Sequence, residues 1–132
     1  MTSPANELMT AIQTRLTADA ALVALIGPGG LSDRRVNRLD LPVVVVGSVE
    51  TRDFSTATEA GAEIIFTLEA WSGEGRRAAE AIAEALCSLL DNTDLALSGR
   101  HLVSLRHRRT VSRREPKTTF FVAEASFRAV VE

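Results

Sequence analysis

The stretch Ala62-Glu63-Ile64-Ile65-Phe66-Thr67-Leu68-Glu69-Ala70-Trp71 decides the fold. Ala62, Ile64, Phe66, Leu68 and Ala70 alternate with Glu63, Ile65, Thr67, Glu69 and Trp71. That period of two places successive side chains on opposite faces of a strand. A second alternation closes the chain, from about Thr118 to Val131. Phe121, Ala123, Ala125, Phe127 and Ala129 share one face there, and Phe120, Val122, Glu124, Ser126 and Arg128 the other. Leu102 to Val111 alternates as well, with Val103, Leu105 and His107 against Ser104, Arg106 and Arg108. Leu41 to Val49 carries the β-branched run Val43 to Val46, apolar on both faces, as a buried central strand requires. Pro42 stands at its first position, where a missing ladder donor matters least. Between these strands, Glu50 to Ala60 has no period and reads as a polar loop. Val111 to Lys117 reads as a basic one.

Helices occupy the remaining segments. Ser3 is a cap and Pro4 suits the first helical position, where its missing N–H is not needed. Leu8, Ile12 and Leu16 then mark one helical face. Thr17 and Asp19 signal a break and a second cap, after which Leu22, Leu25 and Ile26 form the next apolar face. Gly27-Pro28-Gly29-Gly30 ends it. Leu31 to Asp40 is polar and rich in Arg (Arg34, Arg35, Arg38), with Val36 as a short edge strand. Ser72 is the expected cap of a later helix. Its buried stripe is Ala78, Ile82, Ala85, Leu86 and Leu89, Glu80 and Glu84 face water, and Asp91-Asn92 stops it. The expected order is α-β-β-α-β-β. This gives a two-layer α+β sandwich, with a mainly antiparallel four-stranded sheet and helices on one face, in a single domain over residues 1–132.

With 132 residues the chain is long enough to bury an ordinary core. Its 45% hydrophobic and 24% charged residues are the balance of a folded, soluble domain rather than a disordered one. No apolar run approaches the roughly 20 residues of a membrane span, and Met1 to Glu7 is not a secretory signal. One cysteine, Cys87, forms no internal disulfide, which fits a reducing cytoplasm. The net charge of −2 conceals a segregation. Residues 1–99 hold 7 Arg and 14 acids, a net of −7; residues 100–132 hold 8 Arg and Lys and 3 Glu, a net of +5.

No arrangement of residues suits catalysis. Cys87 lies on the apolar part of a helix and reads as a core filler. His101 and His107 share a strand face, but a metal site would need more ligands at matching spacing. Gly27, Gly29 and Gly30 end a helix rather than start one. Gly73 and Gly75 precede one, followed by Arg76 and Arg77, but lack the Walker lysine and the G-x-G-x-x-G spacing. Glu63 and Glu69 are too far apart for an acid–base pair and read as solvated or interface-facing. The sequence thus predicts no catalytic, metal or cofactor-binding residue, no cofactor, and a protein that is not an enzyme. The basic segment Arg100, Arg106, Arg108, Arg109, Arg113, Arg114 and Lys117 has three readings. It is a solvated hairpin, a phosphate-binding surface without stacking aromatics, or a partner for an acidic surface, including that of a neighbouring copy. Arginine outnumbers lysine 14 to 1, which suits bidentate carboxylate pairing.

The order of segments resembles the tail-terminator, or tail-completion, proteins of long-tailed phages and related gene transfer agents. The resemblance begins in Leu16-Thr17-Ala18-Asp19-Ala20-Ala21-Leu22, the Gly-rich break before Arg35-Val36, and Leu41-Pro42-Val43-Val44-Val45-Val46-Gly47. It continues through Arg52-Asp53-Phe54-Ser55-Thr56, then Gly61-Ala62-Glu63 to Leu68-Glu69-Ala70-Trp71-Ser72 with the Ala-rich helix after it. It ends in Leu95-Ala96-Leu97-Ser98-Gly99, Val103-Ser104-Leu105, Arg113-Arg114-Glu115-Pro116 and Ser126-Phe127-Arg128-Ala129-Val130. The resemblance implies a virion protein assembled in the host cytoplasm. It would form a hexameric ring that caps the head-proximal end of the tail tube, stops polymerisation and joins the head or neck. Its implied partners are copies of itself, the tail-tube protein and a head or neck connector or stopper protein. DNA would pass through the lumen without sequence-specific contact, and no membrane is involved. Another neck-region ring, a head-completion or adaptor protein, is the alternative, followed by a nucleic-acid-binding module using residues 100–117. The candidate interface residues are Arg106, Arg108, Arg109, Arg113, Arg114, Lys117, Arg52, Asp53, Phe54, Glu63 and Glu69.

Overall fold

The alternating stretch at Ala62 becomes the centre of the sheet in the computed structural model, which describes residues 3–27, 30–32 and 41–132. Strand β3 (Ala62–Ser72) pairs antiparallel with β5 (Phe121–Val131) over eleven unbroken positions, from Ala62 opposite Val131 to Ser72 opposite Phe121. Phe66 and Phe127 face each other in that register and stack, with ring centroids 5.3 Å apart and planes at 16°. Both are fully buried, and rings of this size each contribute about 2–3 kcal/mol through burial.

Around this pair lie β2 (Val43–Asp53) beside β3, β4 (Leu102–Arg114) beside β5, and β1 (Leu31–Ser32) outside β2. The order is β1-β2-β3-β5-β4, and β1 runs parallel to β2, with Leu31 opposite Val44. The expected four-stranded antiparallel sheet is therefore a five-stranded mixed one. The added strand has two residues, too few to show any hydrophobic period. The expected strand at Val36, with Arg34, Arg35 and Arg38 around it, lies outside the described residues, as does Pro28-Gly29.

Helices α1 (Pro4–Thr17), α2 (Ala20–Ile26) and α3 (Arg76–Leu90) cover one face. Ser3 Oγ accepts from the Asn6 N–H at 3.1 Å, with Pro4 just inside the helix. The break falls where Asp19 was expected to cap: its Oδ2 accepts from the Leu22 N–H at 2.9 Å, and α1 and α2 meet at 92°. No single helix is long and apolar enough to cross a membrane among the described residues. Helix α3 differs from expectation twice. Gly75, without a side-chain cap, precedes it, while Ser72 Oγ accepts from the Glu74 N–H in the turn before. Its buried stripe is Ala79, Ile82, Ala83, Leu86, Leu89 and Leu90, rotated from the expected one that included Ala78 and Ala85. Alanines lie on several sides of this helix, so only the large residues Ile82, Leu86, Leu89 and Leu90 fix which side meets the sheet. Opposite them, Ala123, Ala125 and Ala129 on β5 leave room for the helix to approach.

Two expected loops are partly strand. Glu50 to Asp53 continue β2 and pair with Ile65 to Ala62. Arg113 and Arg114 continue β4, opposite Val122 and Phe121. Residues 47–60 are all exposed. A strand that buries neither face has no hydrophobic alternation, yet its backbone still pairs with the neighbour. The register of β2 shifts between Val46 and Val49. There the Ser48 N–H turns to Thr67 Oγ1 at 2.8 Å, and a Cβ on Gly47 would collide with that same hydroxyl oxygen. Glycine is needed at position 47 for this close approach. We expect Gly47→Ala to cost about 1–2 kcal/mol by urea denaturation, and clearly less in a Thr67→Ala background. Equal costs in both backgrounds would refute the contact.

Candidate assembly interface

The sheet face away from the helices carries rows of polar side chains set by register. One row runs Arg52, Glu63, Val130; the next runs Glu50, Ile65, Arg128, Arg106. Glu63 anchors the first. Its Oε2 accepts from Arg128 Nε at 2.6 Å, and its Oε1 lies 3.5 Å from the Arg52 guanidinium. Its side chain is only 12% exposed, so Glu63 is covered by its own arginines rather than offered to solvent. Arg52 also reaches Glu50 at 3.5 Å, and the Arg128 guanidinium stands 5.6 Å from the exposed Phe54 ring. Asp53 holds the following turn: its Oδ1 accepts from Ser55 N–H at 3.1 Å and Oγ at 2.6 Å. The Ser55 hydroxyl and N–H keep the Asp53 carboxyl below the usual range. Glu69 accepts from the Trp71 indole N–H at 3.1 Å.

The basic residues of the β4–β5 hairpin divide into two groups. Arg106 Nε donates to Asp91 Oδ1 at 3.1 Å. Arg113 bridges Glu115 at 2.5 Å and Glu124 at 2.9 Å, which raises its pKa further. These two arginines serve their own fold. Arg108, Arg109, Arg114 and Lys117 are exposed and make no ion pair among the described residues. The turn between the strands is short, with the Glu115 N–H donating to Phe120 O at 2.9 Å and Lys117 in a left-handed conformation. The edge of β4 is partly closed by the end of α3. The Asn92 N–H donates to Leu105 O at 2.7 Å, and the His107 N–H to Asp91 Oδ1 at 2.9 Å. A charged, capped edge of this kind resists indiscriminate strand pairing.

The residues weighed for chemistry have structural surroundings. Cys87 packs against the core, 3.9 Å from Thr110 Oγ1, and burial pushes its thiol up. His107 contacts the Phe127 ring edge and Thr110 Oγ1 at 2.8 Å. His101 exchanges backbone hydrogen bonds with Glu132. Among the described residues, no group of three His, Cys, Asp or Glu gathers.

Two features escaped the sequence reading. Glu7, which the sequence marks only as the end of a segment that is no secretory signal, is 5% exposed. Its carboxylate accepts from Ser98 Oγ at 2.9 Å and Gly99 N–H at 2.6 Å, and pairs with Arg100. It clamps the segment that leads into β4. The second is the placement of Arg76 and Arg77. Arg76 stands 5.6 Å from the Phe121 ring, and Phe121 is opposite Arg114. The start of α3 therefore joins the basic hairpin. No local signal links positions about 90 residues apart, as Glu7 and Arg100 are, or 38 apart, as Arg76 and Arg114 are.

The profile of the tail completion protein gp17 family matches residues 10–132. The chain belongs to that family. A solved chain from the "Virion of native gene transfer agent (GTA) particle" is 32% identical to this tail completion protein, with a TM-score of 0.89. The match covers 100% of this chain and 99% of that one. No curated protein matches.

Two predictions test this tail completion fold. Glu7→Ala leaves three donors around one site without their acceptor and should cost about 2–4 kcal/mol in denaturant unfolding; Glu7→Gln, which keeps an acceptor, should cost less. A loss below ~1 kcal/mol for the alanine variant would count against the clamp. Asp91 is held below the usual carboxylate range, first by the His107 N–H and then by Arg106. A carboxyl lowered by folding stabilises above its unfolded pKa, and that contribution disappears as pH falls through the folded one. Asp91→Asn should therefore flatten the acid side of the stability profile. An unchanged slope below the ordinary aspartate range would exclude this role.

Proposed function

We propose that this tail completion protein is a tail terminator of a phage or gene transfer agent particle. Copies form a ring, six in number, on the head-proximal end of the tail tube. The ring stops tube polymerisation and provides the joint for a head or neck connector or stopper protein. DNA passes through its lumen without sequence-specific contact. The observation that carries this reading is the full-length correspondence with a chain of a gene transfer agent virion, within a tail completion family.

The surface chemistry supports it. A ring of identical subunits needs two unlike patches on each copy, so that the contact is head-to-tail and closes. The free arginines of the β4–β5 hairpin supply one such patch. Arg113, tied to Glu115 and Glu124, does not belong to it. Nor does Glu63, which is neutralised by Arg52 and Arg128.

The test is imaging of particles made with and without the gene. Without the protein, tails should be overlong or headless, and with it, density for a ring should sit at the tail–head junction. Tails of normal length, joined to heads in its absence, would exclude a terminator. Density on the head side of the joint, with tube length unaffected, would assign the chain to another neck ring.

A further inference from the structure

Four cations stand at one end of the sheet with no ion pair among the described residues. They are Arg76 and Arg77 at the start of α3, Arg114 at the end of β4 and Lys117 in the turn beyond it. All four are exposed. They come from two segments that the fold joins through Phe121, which is opposite Arg114 and carries the Arg76 guanidinium over its ring.

The opposite end of the sheet carries the reverse. Glu59, in the β2–β3 loop, and Glu132, just past β5, stand at this end because Ala62 is opposite Val131, and both are exposed. Neither makes an ion pair among the described residues. The arginines nearest in the fold are engaged, Arg52 and Arg128 on Glu63 and Arg100 on Glu7. The Glu132 carboxyl beside it raises the Glu59 pKa, through hydrogen bonding first and like-charge repulsion second. A cation arriving from outside removes that repulsion. The ten residue steps of β5 between its two ends span about 33 Å, too far for one end of a copy to neutralise the other.

We propose that the basic end of one copy, Arg114 and Lys117 with Arg76 and Arg77, seats on the Glu59–Glu132 end of the next. This rests on the ring reading above and names the contact that builds it. A basic patch alone suits a polyanion equally well. The unneutralised carboxylate pair on the same molecule is what a phosphate backbone does not explain and would be repelled by. The Phe121 ring face, which a base would need for stacking, is covered by Arg76. Because the two ends are unlike, the contact is heterologous and propagates from copy to copy.

The experiment uses two full-length variants, Arg76→Glu/Arg77→Glu/Arg114→Glu/Lys117→Glu and Glu59→Lys/Glu132→Lys. The first has two acidic ends and the second two basic ends, so neither meets an opposite charge on its own kind. An equimolar mixture restores unlike ends at every contact. By sedimentation at low salt, each variant alone should associate at least roughly tenfold more weakly than the unaltered chain, and the mixture should recover. Thermal unfolding checks that both are folded. Should either fail to fold, Arg114→Ala/Lys117→Ala and Glu59→Gln/Glu132→Gln should weaken association in the same direction. Rings from the unaltered chain that neither reversal weakens, or that the mixture does not recover, overturn this contact and leave the ring standing. An unaltered chain that forms no ring in solution or in particles overturns the ring reading itself. If the four-fold reversal of the basic end loses binding to a short DNA duplex while assembly is untouched, that end belongs to nucleic acid and the proposal fails.

Discussion

The structure depends on the pairing of β3 with β5. Eleven consecutive positions in register bring Phe66 onto Phe127 at the middle of the sheet, and a slip of one residue would turn every apolar side chain of either strand to the open face. Everything else is placed by it. The small residues of β5 set how closely α3 lies on the sheet, and α3 in turn ends where Asp91 and Asn92 hold the β4 edge. The C-terminal end of β5 fixes His101 through Glu132, next to the segment that Glu7 clamps. The two halves of the chain are thus joined at three levels: strand register, helix stripe and a buried carboxylate.

The same pairing changes the meaning of the charge pattern. In chain order the first 99 residues are acidic and the rest basic. Antiparallel pairing folds those stretches against each other, and much of the opposition is spent inside the molecule. Glu63 takes Arg128, Asp91 takes Arg106, and Glu7 takes Arg100. Some of the charges that remain unpaired stand at the two ends of the sheet. Cations collect where β4 ends and α3 begins, and a carboxylate pair sits where β5 ends. A segregation that looks like a property of two sequence segments is, in the fold, a property of two ends of one sheet.

The fold was legible where burial writes a period into the sequence. The alternations at Ala62 and Phe121 located the two central strands, and the caps Ser3 and Asp19 located the first two helices, because each is a local pattern with a local cause. Legibility failed where burial does not discriminate. Glu50 to Asp53 and Arg113–Arg114 are strands exposed on both faces, β1 is two residues long, and the alanines around α3 hide which side is inward. The candidate site was legible as a composition: the free cations Arg108, Arg109, Arg114 and Lys117 were all among the residues singled out. Their separation from Arg106 and Arg113, and the addition of Arg76 and Arg77, follow from long-range contacts that no spacing rule encodes.

Charge alone does not make a durable ring. Exposed ion pairs contribute at most about 1 kcal/mol each and weaken with salt, so unlike ends serve chiefly to bring copies together in one orientation and to disfavour the wrong one. Permanence needs apolar area as well. The exposed large hydrophobics include Val49 and Phe54 on the β2 edge and hairpin, and Val103 and Val111 on β4. These strands lie on opposite sides of the β3–β5 pair. Scattered apolar residues need no explanation by themselves, but Phe54 and Val103 stand toward the Glu59–Glu132 end and Val111 toward the basic end. In the proposed ring, long-ranged charge would set orientation first, and apolar contact, effective only at close approach, would hold what it has oriented.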